Sequence, residues 1–509
     1  MFHTVPRTGH KAFNLQHCLQ KELSSKNEVH NKLRSSKNAS IGGGRRAKHT
    51  YSVSVSWTRV PEDLDIEKLA DKIMEKKNVR PTDPVANALS VGSSRAKATR
   101  ATSDPADNKR WGALFGDPDW NTRQQITRKR SYSSSDGQFL RRKGHLKEQD
   151  KLIEFMIELH RTHSSLEVMQ KMERWVLEHH KDIHRSQLRR LVPTIGRMYH
   201  PLPLQEALAT YDEFAHITQR LYVPPNFAEI RHILNIAQLR ASSSTLELIT
   251  FDADGTLYED GCHFEEDNRM IDLLTCLLAR GIHVGIVTAA GYPGEAHKYE
   301  QRLAGLLAQF KAQKLPPHLC SRFHIMGGEC NYLLRIREDY RLEFVDDDLW
   351  VTPKLHFKEE DVEQLLNDGQ RVLVDACNRL RVPHMLIRKS KAVGVVPTEP
   401  TIYEVLEELC LSVQMQVQSN IPFCAFNGGN DVFVDVGNKR LGIDAMKQYV
   451  GAQSNTSLHV GDRFTETGND SASRTSASIL WVANPQETSF FVKMLLEDIH
   501  RHRATPYIE

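Results

Sequence analysis

The sequence predicts an α/β protein whose parallel β-sheet is covered by helices on both faces. From residue 246 onward, short apolar runs typical of buried strands occur at 246–251, 283–288, 433–436, 458–460 and 479–482. Most of these runs are separated by segments of helical length, which is the pattern of parallel β-α-β units. Polar side chains follow several of the runs directly, at the place where parallel sheets hold their ligands.

The composition limits the classes of protein to which the chain can belong. Its 509 residues correspond to about three domains, or to two with extended ends. The formal net charge of +3 argues against a dedicated nucleic-acid-binding protein. No run approaches the roughly 18 apolar residues of a membrane-spanning helix, so we expect no membrane partner. The eight cysteines form no Cys-x-x-Cys and no zinc-ligand spacing, which predicts free thiols in a reducing compartment.

The first 140 residues predict an extension that is mostly disordered. The first fifty contain ten Lys and Arg against two acids, and they lack the apolar segment of a secretory signal. A mitochondrial transit peptide is the alternative, although the glycines at 42–44 do not suit its amphipathic helix. A short helix is expected over 61–77, whereas 90–142 is too polar to offset the entropy lost on ordering.

Residues 145–240 predict a helical region that precedes the sheet. A helix with one apolar face must bury that face against another part of the protein, but this periodicity alone assigns the region no chemistry. The two clearest stripes are Leu152, Phe155, Met156 and Leu159, followed by Leu166, Met169, Met172 and Val176.

The segment 251–258 (FDADGTLY) carries the strongest chemical signal in the chain. Asp252 and Asp254 follow a buried strand, at the end where α/β sheets bind ligands. Acids at that position need a partner, and a hard divalent cation with oxygen ligands supplies one. Asp252 is placed to attack a phosphorus atom, and Asp254 to act as general acid and base. The alternative is a loop in which two acids cap the next helix.

Further polar groups of the same kind follow later runs. Thr288 ends the run at 284–288 and could bond a phosphoryl oxygen, and Lys439 could neutralise a phosphate and the attacking carboxylate. Asp462 follows the run at 458–460 and could complete the shell of a cation together with Asp470. Taken singly, Thr288 is typical of a strand end and Lys439 of solvated surface. Taken in order with the two acids, they predict a phosphoryl-transfer site.

These motifs resemble the four motifs of the haloacid dehalogenase superfamily of phosphohydrolases. The resemblance implies that Asp252 forms an aspartyl-phosphate and that Asp254 is the general acid and base. It implies magnesium held by Asp252, Asp254 and Asp462, with Asp470 as a further acid. The implied fold is a Rossmann-like parallel sheet with a large α+β cap inserted between the second and third motifs. The expected domains are a helical region over 145–240, a catalytic core over 246–291 and 427–495, and a cap over 292–426.

A longer resemblance covers about residues 145–495 and involves the IMP-specific 5′-nucleotidase family. The strings that carry it extend well beyond the generic motifs, and the first 140 residues have no counterpart in it. They are LVPTIG (191–196), IRHILN (230–235), TFDADGTLYEDG (250–261), GIVTAAGY (285–292), MGGECNYL (326–333), NGGNDVFVDVGNK (427–439) and WVANPQET (481–488).

This family resemblance implies magnesium-dependent hydrolysis of inosine 5′-monophosphate (IMP) to inosine and phosphate by a cytoplasmic homotetramer that ATP activates at a separate site. The substrate contacts that it implies are Asp260, Thr288, Asp431, Phe433 and Lys439, and the candidate ATP contact is His232.

Three of these contacts have ordinary alternatives. Asp260 lies eight positions after Asp252 and could reach a ribose hydroxyl, but Asp260 and Gly261 also make a good turn pair. Phe433 could stack on a purine or belong to the core of a strand. His232 on a helix face could be purely structural.

Two smaller patterns stay open. The basic run of Arg388, Lys389 and Lys391 could attract a phosphate or be a solvated face. The segment 326–329 (MGGE) indicates a strand end and a tight turn, whose glycines would either let the backbone approach a ligand or simply make the turn.

Two rival functions remain at this point. The motifs fit a related phosphatase for another nucleotide or a sugar phosphate, because specificity depends on the cap and on the loop around Asp260. A non-catalytic nucleotide-binding scaffold on the same fold is the second rival. The presence of the nucleophile, acid and phosphate-binding residues argues against it.

Overall fold

The computed structural model describes residues 148–504 of the chain. The predicted extension over 1–140, with its helix at 61–77, lies outside the described residues. Within the described range, no helix combines the length and the apolar character that a membrane span requires. The seven cysteines of this range are free thiols.

Helices precede the first strand and confirm those predicted from the apolar stripes. Helices α2 and α5 each begin with a capping box, formed by Ser164 with Glu167 and by Asn226 with Glu229. These helices are α1 (Lys151–Leu159), α2 (Ser165–Lys181), α3 (Gln187–Leu191), α4 (Leu204–Ala215) and α5 (Phe227–Ser242).

The described chain then forms eleven strands and nine more helices. The strands are β1 (Leu248–Phe251), β2 (His283–Val287), β3 (Phe323–Gly327), β4 (Tyr332–Ile336), β5 (Leu342–Phe344), β6 (His384–Arg388), β7 (Ala392–Pro397), β8 (Phe423–Asn427), β9 (Val432–Val436), β10 (Ser457–Gly461) and β11 (Ser478–Trp481). The helices are α6 (Met270–Ala279), α7 (Ala296–Arg302), α8 (Ala304–Ala312), α9 (Pro317–Cys320), α10 (Asp347–Trp350), α11 (Glu359–Leu380), α12 (Tyr403–Gln416), α13 (Lys439–Val450) and α14 (Pro485–Ala504).

The large sheet has seven strands in the order β11-β10-β1-β2-β3-β4-β5. The first five of these are parallel, and β4 and β5 add an antiparallel edge. Successive residues of a strand point to opposite faces. Ile249 and Ile286 therefore enter one core with α5, α6 and α14, whereas Leu248 and Val287 enter a second core with α13. The α/β fold with helices on both faces of a parallel sheet is confirmed.

The small sheet is antiparallel, with the strand order β6-β7-β9-β8. Helices α11 and α12 pack against it. Val432, Val434 and Val436 of β9 are fully buried in the core between this sheet and the two helices. Their neighbours Phe433 and Asp435 lie on the opposite face of the sheet. This unit is the α+β insertion that was expected between the second and third motifs.

The strands cross the boundaries that the sequence predicted for this insertion. Strands β3 to β5 lie within 292–426 but belong to the large sheet, and β9 lies beyond 426 but belongs to the small one. The apolar run at 433–436 was therefore wrongly interpreted as a strand of the parallel sheet. A run of apolar residues indicates a buried strand, but it does not specify which sheet the strand joins.

The N-terminal helices join the core through α5. This helix packs on α14 and β11, and Ile230, Ile233 and Ile236 are fully buried. In α2 three residues of the predicted stripe, Met169, Met172 and Val176, are fully buried, whereas Leu166 is exposed and Val168 is buried instead. Helix ends of this kind are set by the cap and by tertiary packing, which periodicity does not specify.

Candidate active site

Asp252 lies at the carboxyl end of β1, next to the middle of the large sheet. All four residues of β1 are buried, and the Asp252 N–H donates to the Val460 carbonyl of β10 at 2.8 Å. The Asp252 side chain is only 7% exposed. A continuous buried strand therefore carries this carboxylate to the edge where ligands of α/β sheets bind.

Lys439 is fully buried and contacts two acids. Asn438 caps α13 by accepting from the Leu441 N–H, which fixes the start of the helix and with it Lys439. The Lys439 Nζ lies 2.8 Å from Asp252 Oδ1 and 2.5 Å from Asp470 Oδ1. Burial opposes the charged amine, but Asp252 and Asp470 outweigh it and raise the pKa of Lys439. The side chain is thus a cation beside the predicted nucleophile, and not the solvated lysine of the alternative.

Asp470 is held by neighbours on three sides. Its Oδ1 also accepts from His459 Nε2 at 3.0 Å, and its Oδ2 accepts from the Arg463 N–H at 2.9 Å. The other ring nitrogen of His459 lies 2.9 Å from the Thr250 hydroxyl. Burial alone would raise the pKa of Asp470, but Lys439 and His459 lower it well below its usual range. Asp470 is therefore a fixed, ionised carboxylate.

Asp252, Asp462 and Asp470 form a cluster suited to a metal ion. One carboxylate oxygen from each lies within 4.8 Å of the other two. The nearby cations are Lys439 and Arg463, whose Nε lies 3.4 Å from Asp462 Oδ2. Burial raises the pKa of Asp462 to about 6, although Arg463 opposes this. Three acids against two cations leave an excess negative charge, and oxygen ligands of this kind fit a hard divalent cation.

Gly255 permits the close approach on which this cluster depends. Its φ of +73° is in the left-handed region, and a Cβ there would lie 2.7 Å from Asp462 Oδ2. Only glycine fits both the backbone conformation and the space.

Asp254 lies at the rim of the site rather than in the carboxylate cluster. Its Oδ1 accepts from the Gly261 N–H at 3.1 Å and lies 3.4 Å from Arg302 Nη1. Burial raises the pKa of Asp254 although Arg302 lowers it, a direction that favours a proton donor. Arg302 also donates to the carbonyl of the exposed Cys262 at 2.8 Å. The Asp254 carboxylate does not belong to the group of acids whose oxygens lie within 4.8 Å of one another, which is formed by Asp252, Asp462 and Asp470.

Thr288 follows β2 and is buried at the same edge of the sheet. Its hydroxyl accepts from the Ala290 N–H at 3.1 Å, and its carbonyl accepts from the Glu329 N–H at 2.9 Å. The strand-end position predicted for this hydroxyl is confirmed. Its contact with a phosphate remains a prediction.

The remaining predicted substrate contacts lie where the small sheet meets this edge. The Arg463 guanidinium donates to the Asn427 carbonyl of β8 at 2.6 Å, and its Nη2 lies 3.7 Å from Asp260 Oδ2. Burial raises the pKa of Asp431 while Arg463 lowers it, because these two groups are neighbours. The Lys389 Nζ lies 5.5 Å from the centre of the Phe433 ring. Asp260 and Lys389 are thus neighbours of Asp431, and Phe433 lies beside Lys389, which is one residue of the basic run.

His232 lies in the interior and not on a surface. It is 2% exposed, and its ring nitrogens lie 3.0 Å from the Tyr211 hydroxyl of α4 and from Glu487 Oε1 of α14. Burial lowers the pKa of His232 although Glu487 raises it. In this arrangement a nucleotide could reach the ring only after α4 or α14 moved.

Most of the described chain, and not only its site, matches one family of enzymes. The model of the IMP-specific 5′-nucleotidase family matches residues 135–492. The chain belongs to this family. Its members are hydrolases of nucleotide phosphomonoesters, and the chain is therefore an enzyme of that class.

Individual relatives agree with this assignment. The IMP-specific 5′-nucleotidase 1 of Yarrowia lipolytica is 41% identical in an alignment of 335 positions that covers 63% of this chain and 80% of the relative. The IMP-specific 5′-nucleotidase 1 of Plasmodium falciparum is 35% identical in an alignment of 375 positions that covers 69% of this chain and 84% of the relative.

Two solved structures resemble the fold. An IMP-bound variant of the P. falciparum IMP-nucleotidase has a TM-score of 0.65 and 35% identity, with 69% of this chain and 96% of that chain covered. An ATP-bound structure of the same enzyme has a TM-score of 0.65 and 32% identity, with 79% and 94% covered.

Several residues of the site were missed or only touched on by the sequence analysis. Arg463 directly follows the predicted ligand Asp462, and this adjacency was an available signal. Arg302 lies 48 positions after Asp254 in a helix, and no pattern singles it out. Glu329 was noted only as part of a turn. It is fully buried, and burial raises its pKa to about 7 although Lys439 lowers it.

Proposed function

We propose that the protein hydrolyses IMP to inosine and phosphate with the help of magnesium, through a phosphorylated Asp252. One observation carries the proposal: a buried carboxylate at the end of a central strand, 2.8 Å from a fully buried lysine, within a cluster of three acids. Membership of the IMP-specific 5′-nucleotidase family supports the choice of substrate.

Asp252, Asp462 and Asp470 would hold the magnesium ion. When bound, the cation neutralises charge on the transferred phosphoryl group and on the attacking carboxylate. The excess negative charge of the three acids over Lys439 and Arg463 supports this role.

The chemistry has two steps on the residues of this chain. In the first, an oxygen of Asp252 attacks the 5′-phosphorus, and the bond from phosphorus to the nucleoside oxygen breaks. Asp254 gives its proton to that oxygen, and inosine leaves. In the second, Asp254 takes a proton from water, which attacks the phosphorus and restores the Asp252 carboxylate. Lys439 and Thr288 hold phosphoryl oxygens throughout.

We propose that the nucleoside binds between the two sheets, in a cleft near Asp260 and Phe433. Asp260 would accept from a ribose hydroxyl and Phe433 would stack on the base. Asp431 lies beside them as a further polar contact, and Arg463 fixes Asp260 and joins the two sheets at this point. The small sheet and its helices would act as the cap that selects the substrate.

ATP is proposed as an effector that binds away from the catalytic site. The ATP-bound structure of the P. falciparum enzyme supports it. His232 remains the proposed contact, which requires the helices around it to rearrange. We further propose a cytoplasmic homotetramer in which the helices α1 to α5 serve regulation or assembly.

Phosphate release from a panel of nucleoside monophosphates and sugar phosphates tests the proposal. The expected result is a strong preference for IMP that is enhanced by ATP, lost in EDTA and restored by magnesium. Hydrolysis of other substrates without a preference for IMP would leave the proposed mechanism in place but would contradict the proposed specificity for IMP. Folded protein without any turnover would instead support a nucleotide-binding scaffold.

A further inference from the structure

The turn between β3 and β4 contacts the loop that carries Thr288. In this turn Gly328 and Glu329 both have left-handed backbone, with φ of +58° and +64°. The Gly328 N–H donates to the Ala290 carbonyl at 3.0 Å, and the Glu329 N–H donates to the Thr288 carbonyl at 2.9 Å. The turn thus rests directly on the loop that follows β2.

The same turn packs against the helix that carries Lys439. Gly442 of α13 lies so close to the Glu329 carbonyl that a Cβ at Gly442 would overlap it. The Asn331 side chain donates to the Val436 carbonyl at 2.8 Å, at the end of the strand that leads to Lys439. The turn therefore contacts the chain on both sides of Lys439, at Val436 before it and at Gly442 after it.

The Glu329 side chain continues these contacts toward Asp470. It is fully buried, and its Oε1 accepts from the Asn469 side chain at 3.0 Å. Burial raises the pKa of this carboxylate, whereas the charge and the backbone N–H of the neighbouring Lys439 lower it. Asn469 directly precedes Asp470, which contacts Lys439 and His459.

A glutamate is an unfavourable residue for this place if it only forms the turn. Left-handed backbone favours glycine, and a residue with a long side chain pays a conformational cost there. Burying an ionisable carboxylate adds a further cost. Strained positions of this kind persist where the surrounding structure holds them in place, often at functional sites.

We propose that Glu329 is a positioning residue of the catalytic site, which orients Asp470 through Asn469 and so supports cation binding. This rests on the proposed function, because it assigns Asp470 to the cation. Outer hydrogen-bond partners of metal ligands typically contribute about 10- to 100-fold in metal affinity or activity.

Two variants separate this role from that of a turn residue. Glu329→Gln keeps the shape and removes the charge, whereas Glu329→Gly removes the side chain and suits the left-handed backbone. We expect Glu329→Gly to weaken binding of Mn²⁺ to the resting full-length protein, measured by calorimetry, and to lower kcat about 10- to 100-fold. Glu329→Gln should retain most of both, because its side-chain oxygen can still accept from Asn469. The KM for IMP should change little, because Glu329 does not touch the proposed nucleoside cleft.

The matched control is Glu343→Gln. Glu343 lies on β5 of the same sheet and forms an exposed ion pair with Arg335, so neither Mn²⁺ affinity nor kcat should change. If Glu329→Gly retained wild-type Mn²⁺ affinity and kcat, the proposal would be wrong and the turn alone would matter.

Asn469→Ala tests the same hydrogen bond from its other end. It should reproduce the loss seen in Glu329→Gly, and its combination with Glu329→Gly should add little to either single change, because both remove the hydrogen bond between Asn469 and Glu329. Fully additive losses would contradict the proposal. Should the wild type bind Mn²⁺ but not hydrolyse IMP, the substrate assignment would fail, while the Mn²⁺ comparison would still decide the role of Glu329.

Discussion

Lys439 supplies a buried positive charge to the acids of the site. It is fully buried between Asp252 and Asp470, and it carries one of the two positive charges near the three clustered acids. A buried ion pair of this kind is costly to break, because removal of one partner leaves an uncompensated charge. The arrangement therefore fixes the carboxylate of Asp252, the proposed nucleophile, beside a buried positive charge.

Asp252→Asn should abolish phosphate release, because an amide cannot act as the nucleophile. Lys439 keeps its contact with Asp470 in this variant, so the thermal unfolding temperature should fall only slightly. Asp254→Asn should also lower kcat strongly. Phosphate release and circular dichroism on the same samples check both points. Measurable turnover by the folded Asp252→Asn variant would show that another group attacks the phosphorus.

The buried Glu487 provides a pH test of stability. Its carboxylate lies 2.7 Å from Arg231, and although burial would raise its pKa, Arg231 and His232 lower it from 4.5 to about 2. A carboxylate whose pKa is lower in the folded than in the unfolded state stabilises the protein at pH values above its unfolded-state pKa. This contribution to stability is lost as the pH falls through the folded-state pKa. Glu487→Gln should therefore cost about 3 kcal/mol or more near neutral pH.

This difference between Glu487→Gln and the wild type should shrink as the pH falls from about 4.5 toward 2. Urea denaturation over a pH series measures it. Glu363→Gln, which breaks an exposed ion pair with Arg388, should cost less than about 1 kcal/mol at any pH. A Glu487→Gln difference that did not depend on pH would mean that packing, and not charge, stabilises this position.

For single residues, the sequence predicted the charged side chains of the site better than the residues that contact them. Asp252, Asp462, Asp470 and Lys439 were all predicted from motif order, and the structure brings them together. Their contacts with Glu329 and Asn469 could not be predicted, because these residues come from loops 140 positions apart. A single sequence carries no signal for such a pair.

The loop between β1 and α6 is the element that sets the geometry of the acids. It carries Asp252, Asp254 and Asp260, and Gly255 lets its backbone approach Asp462 closely. Arg302 of α7 contacts the same loop, at the Asp254 carboxylate and at the carbonyl of the residue two positions after Asp260. Small changes in this loop should therefore act on the whole cluster of acids.

Gly255→Ala should weaken Mn²⁺ binding and lower kcat, because the new Cβ would push Asp462 away while the backbone is strained. The control is Gly451→Ala, which has a similar φ of +81° but no atom within 4 Å of the added Cβ. That variant should show only the backbone cost of about 1 kcal/mol, with full activity. Calorimetry with Mn²⁺ and thermal unfolding separate the two effects. Equal behaviour of both variants would mean that the approach to Asp462 is unimportant.

The sequence predicted the positions of these strands and helices, but it did not predict which sheet each strand joins. The runs that became β1, β2, β10 and β11 were recognised as parallel strands, because most of the apolar runs are separated by segments of helical length. Strand β9 has the same apolar character, yet it joins the small sheet through pairing with β7 and β8. Pairing is a long-range property, and the local pattern contains no information about it.

For the molecule as a whole, the two sheets are joined where the chemistry is expected. The chain leaves the large sheet after α10, forms the small sheet and returns at Lys439. The contact of Arg463 with the Asn427 carbonyl adds a second connection between them. A ligand in the cleft would thus touch both sheets, and its binding would be sensitive to how they are oriented.

A chain that starts at residue 135 should retain the kcat, the KM for IMP and the response to ATP of the full-length protein. The family match begins at residue 135, and every predicted site residue follows it. Steady-state kinetics on both chains, with and without ATP, give the comparison. Loss of the ATP response alone would place part of the effector site in the first 134 residues.

Cys262 offers a natural attachment point for a reporter group. It is exposed, it lies two positions after Asp260, and its carbonyl is bound by the arginine that contacts Asp254. Among the other described cysteines, five are buried and Cys424 is partly so. A thiol-reactive fluorophore would therefore label Cys262 in preference to these, and replacement of Cys18 by serine would remove the one thiol outside the described range. Its emission would then follow nucleotide arrival and departure in real time, without the need for a coupled phosphate assay.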